Sequence, residues 1–224
     1  MDTATLVVEK LAGQTSLPLT TLSGLSGLDV NKLGLTPING TNYHFKVLSS
    51  APELSKAFNL RYEVFCVEKG IVDPKNYPTQ METDEYDDKS LHVGVFEGDE
   101  MIAYARLVLP CEMFPIERTN TLPKCFDREK TIESSRGLVV KEHRHSDVIW
   151  HMSNSIYEFC RENGFRHILS FSNAIMYNGY KKRDFPFEHV GDAVTFHGHK
   201  SFPLVIKVVE NKLDFTRKQA PTIH

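Results

Sequence analysis

The chain has 224 residues, of which 41% are hydrophobic and 25% charged, and its formal net charge is -3. This length and composition allow one domain with a sizeable core, and the slightly acidic balance argues against a nucleic-acid binder. Four cysteines without CxxC spacing predict reduced thiols. The sequence contains no apolar run of about 18 residues, so no membrane span is predicted. The start lacks signal-peptide features, so we expect a cytoplasmic protein.

The first 40 residues are rich in Thr, Ser, Gly and Leu. We expect residues 1–40 to be a loosely ordered arm with one short helix near Ala4 to Leu11. The leucines of this arm are expected to dock on an apolar surface. Residues 41–224 are predicted to form a single domain.

The domain is predicted to begin with a strand over 43–48 and a helix that ends near Gly70. Ser49 or Ser50 is the expected cap of the helix, and apolar residues recur in it at helical spacing. One charged residue, Arg61, lies beside that apolar stripe.

A strongly acidic segment comes next. Residues 82–88 hold five carboxylates, and two strand-like runs follow over 90–96 and 101–109, joined by a Gly-Asp turn. This pattern predicts a hairpin. Arg106 is the one charge inside the second run, and a buried strand would require a partner for it. The acidic segment is the nearest supply of such a partner.

The long stretch 110–130 holds three prolines and is predicted to be an irregular, functional loop. A strand over 131–140 follows, with Glu133 and Arg136 embedded in it. Beyond it we predict a helix over 148–162, a strand over 167–171, a helix over 173–182, and two strands over 187–196 and 204–209.

Several charges stand where apolar residues are expected, and we interpret them as one buried network. Buried ion pairs are poor stabilisers, so such a network indicates chemistry or binding, although a purely structural network is the alternative. Alternating carboxylates and guanidiniums suit a zwitterionic ligand such as an amino acid. The members are Arg61, Arg106, Arg136, Glu82, Asp84, Asp87 and Glu133.

A basic segment precedes the predicted helix over 148–162. Helix N-termini bind phosphate groups readily, and basic residues strengthen such a site. An ordinary solvated loop is the alternative. Metal binding is not expected, because the His-containing motifs lack ligands at the right spacing. The candidate phosphate-binding residues are Lys141, His143, Arg144, His145 and Ser146.

Four motifs taken together resemble the autoinducer-synthase-like branch of the GNAT superfamily of acyltransferases. They are LRYEVFCVEKG at 60–70, ETDEYDDKSLH at 82–92, ARLVLP at 105–110 and IESSRGLVV at 132–140. The resemblance covers roughly residues 43–209. It implies an α/β (α+β) GNAT fold: a mixed, mostly antiparallel twisted sheet, helices on both faces, and a cleft between two splayed strands.

The resemblance implies an N-acyltransferase. Within the branch, N-acyl amino acid synthases of the exosortase-associated type are the closest match, because acyl-homoserine-lactone synthases usually carry a Trp where this chain has Ile71. The implied donor is a long-chain acyl-acyl-carrier protein or acyl-CoA, and the acceptor is the α-amine of an amino acid. No bound cofactor is implied. The acyl product implies weak contact with a membrane surface.

Two alternatives remain open. One is a lactone-forming autoinducer synthase that uses S-adenosylmethionine, and the other is a non-catalytic acyl- or amino-acid-binding sensor.

The resemblance also implies residue roles. Glu133 or Glu82 would be the general base. A bulge would be needed to bring Arg136 to the same face as Glu133, as its partner or as a carboxylate clamp. The acceptor would be bound by Arg61, Asp84, Asp87, Arg106 and Arg136. The phosphopantetheine of the donor would meet the 141–146 segment, and Lys181, Lys182 and Arg183 would help to dock an acidic carrier.

Overall fold

The computed structural model describes residues 28–30, 33, 43–122, 126–196, 199–211 and 213. Within these ranges one mixed sheet forms from β1 (Tyr43–Val47), β2 (Ser90–Glu97), β3 (Glu100–Val108), β4 (Thr131–Val139), β5 (His167–Asn173), β6 (Phe187–His189), β7 (Val194–Phe196) and β8 (His199–Lys207). The order is β1-β2-β3-β4-β5-β8-β6, with β7 also paired to β8. Among the strand pairs in the described ranges, only β4–β5 is parallel.

Three α-helices accompany the sheet in the described part of the chain: α1 (Ala51–Tyr62), α2 (Val148–Glu162) and α3 (Ala174–Lys182). The predicted cap of α1 is confirmed as Ser50, and Glu53 accepts hydrogen bonds from the backbone N–H groups of Ser49 and Ser50. The helix continues directly into a π-helix, Glu63–Glu68. Gly70 follows with φ of 58°, as a residue that ends a helix often does.

The two faces of the sheet carry separate hydrophobic clusters, because successive strand residues point to opposite faces. Tyr104 of β3 belongs to the same cluster as Phe58 of α1, whereas the neighbouring Ala105 belongs to the cluster that contains Ile156 of α2. The sheet is therefore covered by helices on both faces, which confirms the predicted fold class.

The predicted strands over 187–196 and 204–209 are wrong in their bounds. Residues 187–196 form two short strands, β6 and β7, and β8 begins at His199. Both short strands pair with β8, with His189 opposite Leu204 and Val194 opposite Ser201. The four residues 190–193 therefore lie opposite only two residues of β8. The two extra residues form a bulge, which contains a Gly-Asp pair and separates β6 from β7.

Part of the N-terminal arm is described. Leu33 is 1% exposed and lies in the core cluster, and Leu28 and Val30 pack against that cluster. These residues dock on an apolar surface, as expected of the arm. The helix expected near Ala4 to Leu11 lies outside the described residues, and the division into an arm and a single domain stays a prediction. No helix in the described ranges has the length and apolar character needed to cross a membrane.

Candidate active site

The central cavity lies where two neighbouring strands separate. β4 and β5 pair from Thr131 and His167 as far as Ser134 and Ser170. Beyond that point β4 pairs only with β3, and β5 only with β8. A cavity of about 760 Å³ lies along the separated strands, with Ser135 to Gly137 on one side and Phe171 on the other. Its volume is typical of a small-molecule site.

Glu133 lies at the vertex of the separated strands and lines the cavity. Its side chain is 2% exposed, and Oε2 accepts one hydrogen bond, 2.9 Å long, from the backbone N–H of Ile116. Burial raises the pKa of Glu133 to about 7, against the opposing effects of that hydrogen bond and of Arg106 and Arg136. A carboxyl group with such a pKa exchanges a proton readily near neutral pH.

A short 3₁₀ turn, Pro115–Arg118, holds the Ile116 N–H in place. Glu117 accepts a 2.8 Å hydrogen bond from the backbone N–H of Phe114, and Arg128 donates to both oxygens of Glu117 at 2.7 and 2.5 Å. The irregular stretch 110–130, predicted to be functional from its length, thus supplies the only hydrogen bond found for the Glu133 carboxyl among the described residues.

A bulge in β4 turns Arg136 toward the acids. The β3–β4 register shifts between Tyr104 and Arg106, and Arg136 has φ of 53°. Its guanidinium donates to Glu82 at 2.9 and 3.0 Å and to Asp84 at 3.0 Å. The bulge is as predicted, but Arg136 forms no ion pair with Glu133, and its partners are the acids before the hairpin.

The other predicted members form a buried ion-pair network with Arg136, but Glu133, predicted to belong to it, forms no ion pair there. Arg61 binds Glu82 at 2.5 Å and Asp87 at 2.6 Å, and Arg106 binds Asp87 at 2.9 Å and Asp84 at 2.5 Å. Both arginine side chains are 0% exposed. Burial by itself would raise the pKa values of Glu82, Asp84 and Asp87. The neighbouring guanidiniums nevertheless hold these pKa values below their usual range.

A buried histidine supports this network and was not singled out from the sequence. His92 Nδ1 lies 2.6 Å from the hydroxyl of Tyr104, and Nε2 lies 2.9 Å from the backbone oxygen of Asp87. Burial lowers the pKa of His92 to about 4, so the ring is neutral at pH 7. Sequence pattern could not place it there, because only the register shift between Val95 and Phe96 puts His92 opposite Arg106 in the hairpin.

The basic segment after β4 is engaged largely in contacts within the protein. Lys141–His143 form a 3₁₀ turn, and His143 Nδ1 lies 3.2 Å from the hydroxyl of Tyr43. Arg144 forms a forked ion pair with Glu68, and Ser146 donates to the backbone oxygen of His143 at 2.6 Å. His145 is exposed. None of these residues lines the cavity, and their contact with a donor stays a prediction.

Of the basic residues predicted to dock a carrier, Arg183 is unsuited to that role. Its side chain is 3% exposed, its guanidinium lies 3.9 Å from the centre of the Trp150 ring, and Nη2 lies 3.5 Å from Asp147. It is therefore part of the packing between α2 and α3. Lys181 and Lys182 are exposed.

One wall of the cavity was missed in the sequence. The π-helix and the residues after it contribute Phe65, Lys69, Ile71 and Val72. Single π-helical turns often occur at functional sites, but apolar spacing predicted an ordinary α-helix here. Lys200 on β8 and Arg118 were also missed as cavity residues.

Residues 60–154 match the model of the acetyltransferase (GNAT) domain family. One similar solved structure is a CoA-dependent acyl-homoserine lactone synthase, BjaI, with SAM and isopentyl-CoA; it has 20% sequence identity and a TM-score of 0.62, and the match covers 73% of this chain and 79% of that one. A second is TofI in a ternary complex with an inhibitor and MTA, with 19% identity, a TM-score of 0.65, and coverage of 79% of this chain and 96% of that one. A third is the AHL synthase LasI, with 14% identity, a TM-score of 0.65, and coverage of 79% of this chain and 95% of that one. No curated protein matches the chain significantly.

At these identities the likeness to solved structures shows the fold: the chain has the GNAT fold in the form found in autoinducer synthases. The match of residues 60–154 to the acetyltransferase domain indicates that the protein is an acyltransferase.

Proposed function

We propose that this acyltransferase moves a long-chain fatty acyl group from a carrier thioester to the α-amine of an amino acid. The observation that carries the proposal is Glu133, a buried carboxyl group with a pKa of about 7 at the vertex of the separated strands. An amine acceptor reaches this site as an ammonium ion and must lose a proton before it attacks.

Glu133 is a better base than Glu82. Glu82 is 0% exposed, is bound by both Arg61 and Arg136, and has a pKa below its usual range. A carboxylate held by two guanidiniums is a weak proton acceptor, so Glu82 serves to orient Arg136.

The charge immediately around Glu133 suits an ammonium ion. Arg61, Arg106 and Arg136 are balanced by three carboxylates that bind them. The ionised form of Glu133 then adds one net negative charge next to the cavity, and an ammonium group neutralises it.

The proposed reaction transfers the acyl group directly. Glu133 takes one proton from the ammonium ion, and the nitrogen lone pair attacks the thioester carbon to form the new C–N bond. Collapse of the tetrahedral intermediate breaks the C–S bond, and the leaving sulfur takes the second proton lost by the nitrogen. Glu133 releases its proton to solvent. Beyond Ser134 the unpaired edge of β4 carries backbone N–H groups suited to the oxyanion.

The donor is proposed to be an acyl-acyl-carrier protein, with acyl-CoA as the other thioester of the same chemistry. The cavity has apolar lining from Phe65, Ile71 and Phe171, which suits an acyl chain. The 141–146 segment, directly before α2, is the proposed contact for the phosphate of the pantetheine arm.

A second candidate is lactone synthesis from S-adenosylmethionine, and the solved structures of acyl-homoserine lactone synthases favour it. Against it, Ile71 lines the cavity at the position where those synthases usually carry a Trp. A sensor without turnover is the third candidate, and the presence of Glu133 weighs against it, because binding alone needs no base.

Incubation with acyl-carrier thioesters, acyl-CoA and a panel of amino acids tests the proposal, with thiol release and product mass as readouts. We expect an N-acyl amino acid, and no methylthioadenosine when S-adenosylmethionine is supplied. Methylthioadenosine release together with a lactone product would replace the proposal by the second candidate. Saturable binding with no thiol release from any donor would indicate a sensor.

A further inference from the structure

The guanidiniums expected to bind the acceptor carboxylate are already paired with carboxylates of the protein. Arg61 and Arg106 have no exposed surface, and Arg136 is bound to Glu82 and Asp84. A ligand carboxylate at these arginines would meet their carboxylates at close range, and like charges repel. The cation that binds a carboxylate must therefore come from elsewhere on the cavity wall.

Three other cavity residues carry a full positive charge: Lys69, Arg118 and Lys200. Arg118 forms an ion pair with Glu85 and lies over the ring of Tyr86. Lys69 and Lys200 have no carboxylate within ion-pair distance among the described residues. They lie on different walls, since Lys69 follows the π-helix and Lys200 belongs to β8.

Lys69 is on the wall that adjoins the acid network. Glu82 of that network lies against α1, which continues into the π-helix: the backbone N–H of Glu82 donates to the Phe58 oxygen at 3.1 Å, and its carboxylate binds Arg61 at 2.5 Å. The backbone N–H of Lys69 donates to Val64 at 3.1 Å, and its ammonium lies 5.7 Å from the centre of the Phe65 ring.

The surroundings of Lys69 also favour the binding of an anion. Its side chain is partly buried, and the adjacent acid, Glu68, is engaged by Arg144. Burial, and then the nearby charge of Arg144, lowers the pKa of Lys69. A partly desolvated ammonium gains more from an anion than a fully hydrated one does. Lys200, in contrast, is exposed.

We propose that Lys69 binds the carboxylate of the amino acid acceptor and so selects acceptors that carry both an amine and a carboxylate. This inference rests on the proposed function. The acceptor would extend from Glu133, which receives the proton of its amine, toward the π-helix, which receives its carboxylate.

The test compares an amino acid with its primary carboxamide, which has the same amine but no carboxylate. Steady-state rates are measured for the wild-type protein and for Lys69→Met, Lys69→Arg and Lys200→Met, with Lys56→Met on the exposed side of α1 as the control. For Lys69→Met we expect the KM of the amino acid to rise about 10- to 100-fold, the effect of one charge-assisted hydrogen bond. Its kcat, and the KM of the carboxamide, should change little.

Lys69→Arg should retain most of the affinity for the amino acid, and Lys56→Met should behave as the wild-type protein does. The inference is overturned if Lys69→Met raises the KM of both acceptors equally, or raises only the KM of the thioester. It is also overturned if Lys200→Met, and not Lys69→Met, raises the KM of the amino acid. A wild-type protein that acylates the carboxamide as well as the amino acid also overturns it, while acyl transfer to amines stands. A wild-type protein that acylates neither contradicts the proposed function itself.

Discussion

Replacing Glu133 by Gln separates the charge of this side chain from its shape. Gln has a similar volume, and its carbonyl oxygen can still accept the hydrogen bond from Ile116, but it cannot take a proton from an ammonium ion. We expect kcat at neutral pH to fall by about 10²- to 10⁴-fold, the usual contribution of a general base. Part of the rate should return at high pH, where the acceptor amine is already deprotonated in solution.

The same substitution should change how stability depends on pH. The pKa of Glu133 rises from an ordinary 4.5 to about 7 on folding. The folded protein therefore binds this proton more tightly than the unfolded chain, and the stabilisation is complete below pH 4.5 and lost as pH rises through 7. The shift corresponds to about 3 kcal/mol. The Gln variant has no such loss. The difference in unfolding free energy between the variant and the wild-type protein should therefore shift in favour of the variant by up to about 3 kcal/mol between low pH and pH 8.

Urea unfolding of both proteins at pH 5 and pH 8 measures this difference, and thermal unfolding should show a shift of roughly 6 to 12 °C at pH 8 for a chain of this size. Glu129→Gln, at an exposed glutamate just before β4, is the matched control and should change neither property. The reasoning is refuted if Glu133→Gln and the wild-type protein lose stability in parallel between pH 5 and pH 8. Near wild-type turnover by Glu133→Gln, together with loss of turnover in Glu82→Gln, would move the role of base to Glu82.

Two further substitutions test the surroundings of the site, and a third tests the packing of α3 against α2. Arg106→Ala leaves buried carboxylates without a partner and should lower the free energy of unfolding by about 3 to 5 kcal/mol; an unchanged urea midpoint would contradict the buried network. Glu117→Ala loosens the turn that donates a hydrogen bond to ionised Glu133, so the pH of half-maximal rate should move upward; an unchanged pH–rate profile would show that the turn is held by other contacts. Gly179→Ala places a Cβ 2.0 Å from the ring of Trp150 and should cost about 1 to 3 kcal/mol. Helix propensity alone would make the Ala variant more stable than the wild-type protein. That result would show that the Trp150 ring moves aside.

The sequence by itself determined the hairpin, the main helices and six of the seven predicted members of the buried network, Glu133 being the exception. Each depends on local pattern: a Gly-Asp turn between apolar runs, apolar residues at helical spacing, and charges where burial requires apolar side chains. A bulge at Arg136 could be predicted in the same way, because strand alternation alone places Glu133 and Arg136 on opposite faces. The resemblance to acyltransferases also came from these residues, in their order along the chain.

The tertiary structure decided which charges pair and which remain available. Arg136 binds Glu82 and Asp84, not Glu133, because the bulge and the acidic segment meet across the sheet, and spacing along the chain carries no information on that distance. The π-helix that brings Lys69 to the cavity has the apolar spacing of an α-helix up to its last turn. The pKa of Glu133 likewise depends on burial, opposed by a hydrogen bond from the backbone N–H of Ile116, 17 positions earlier, and only folding brings both about.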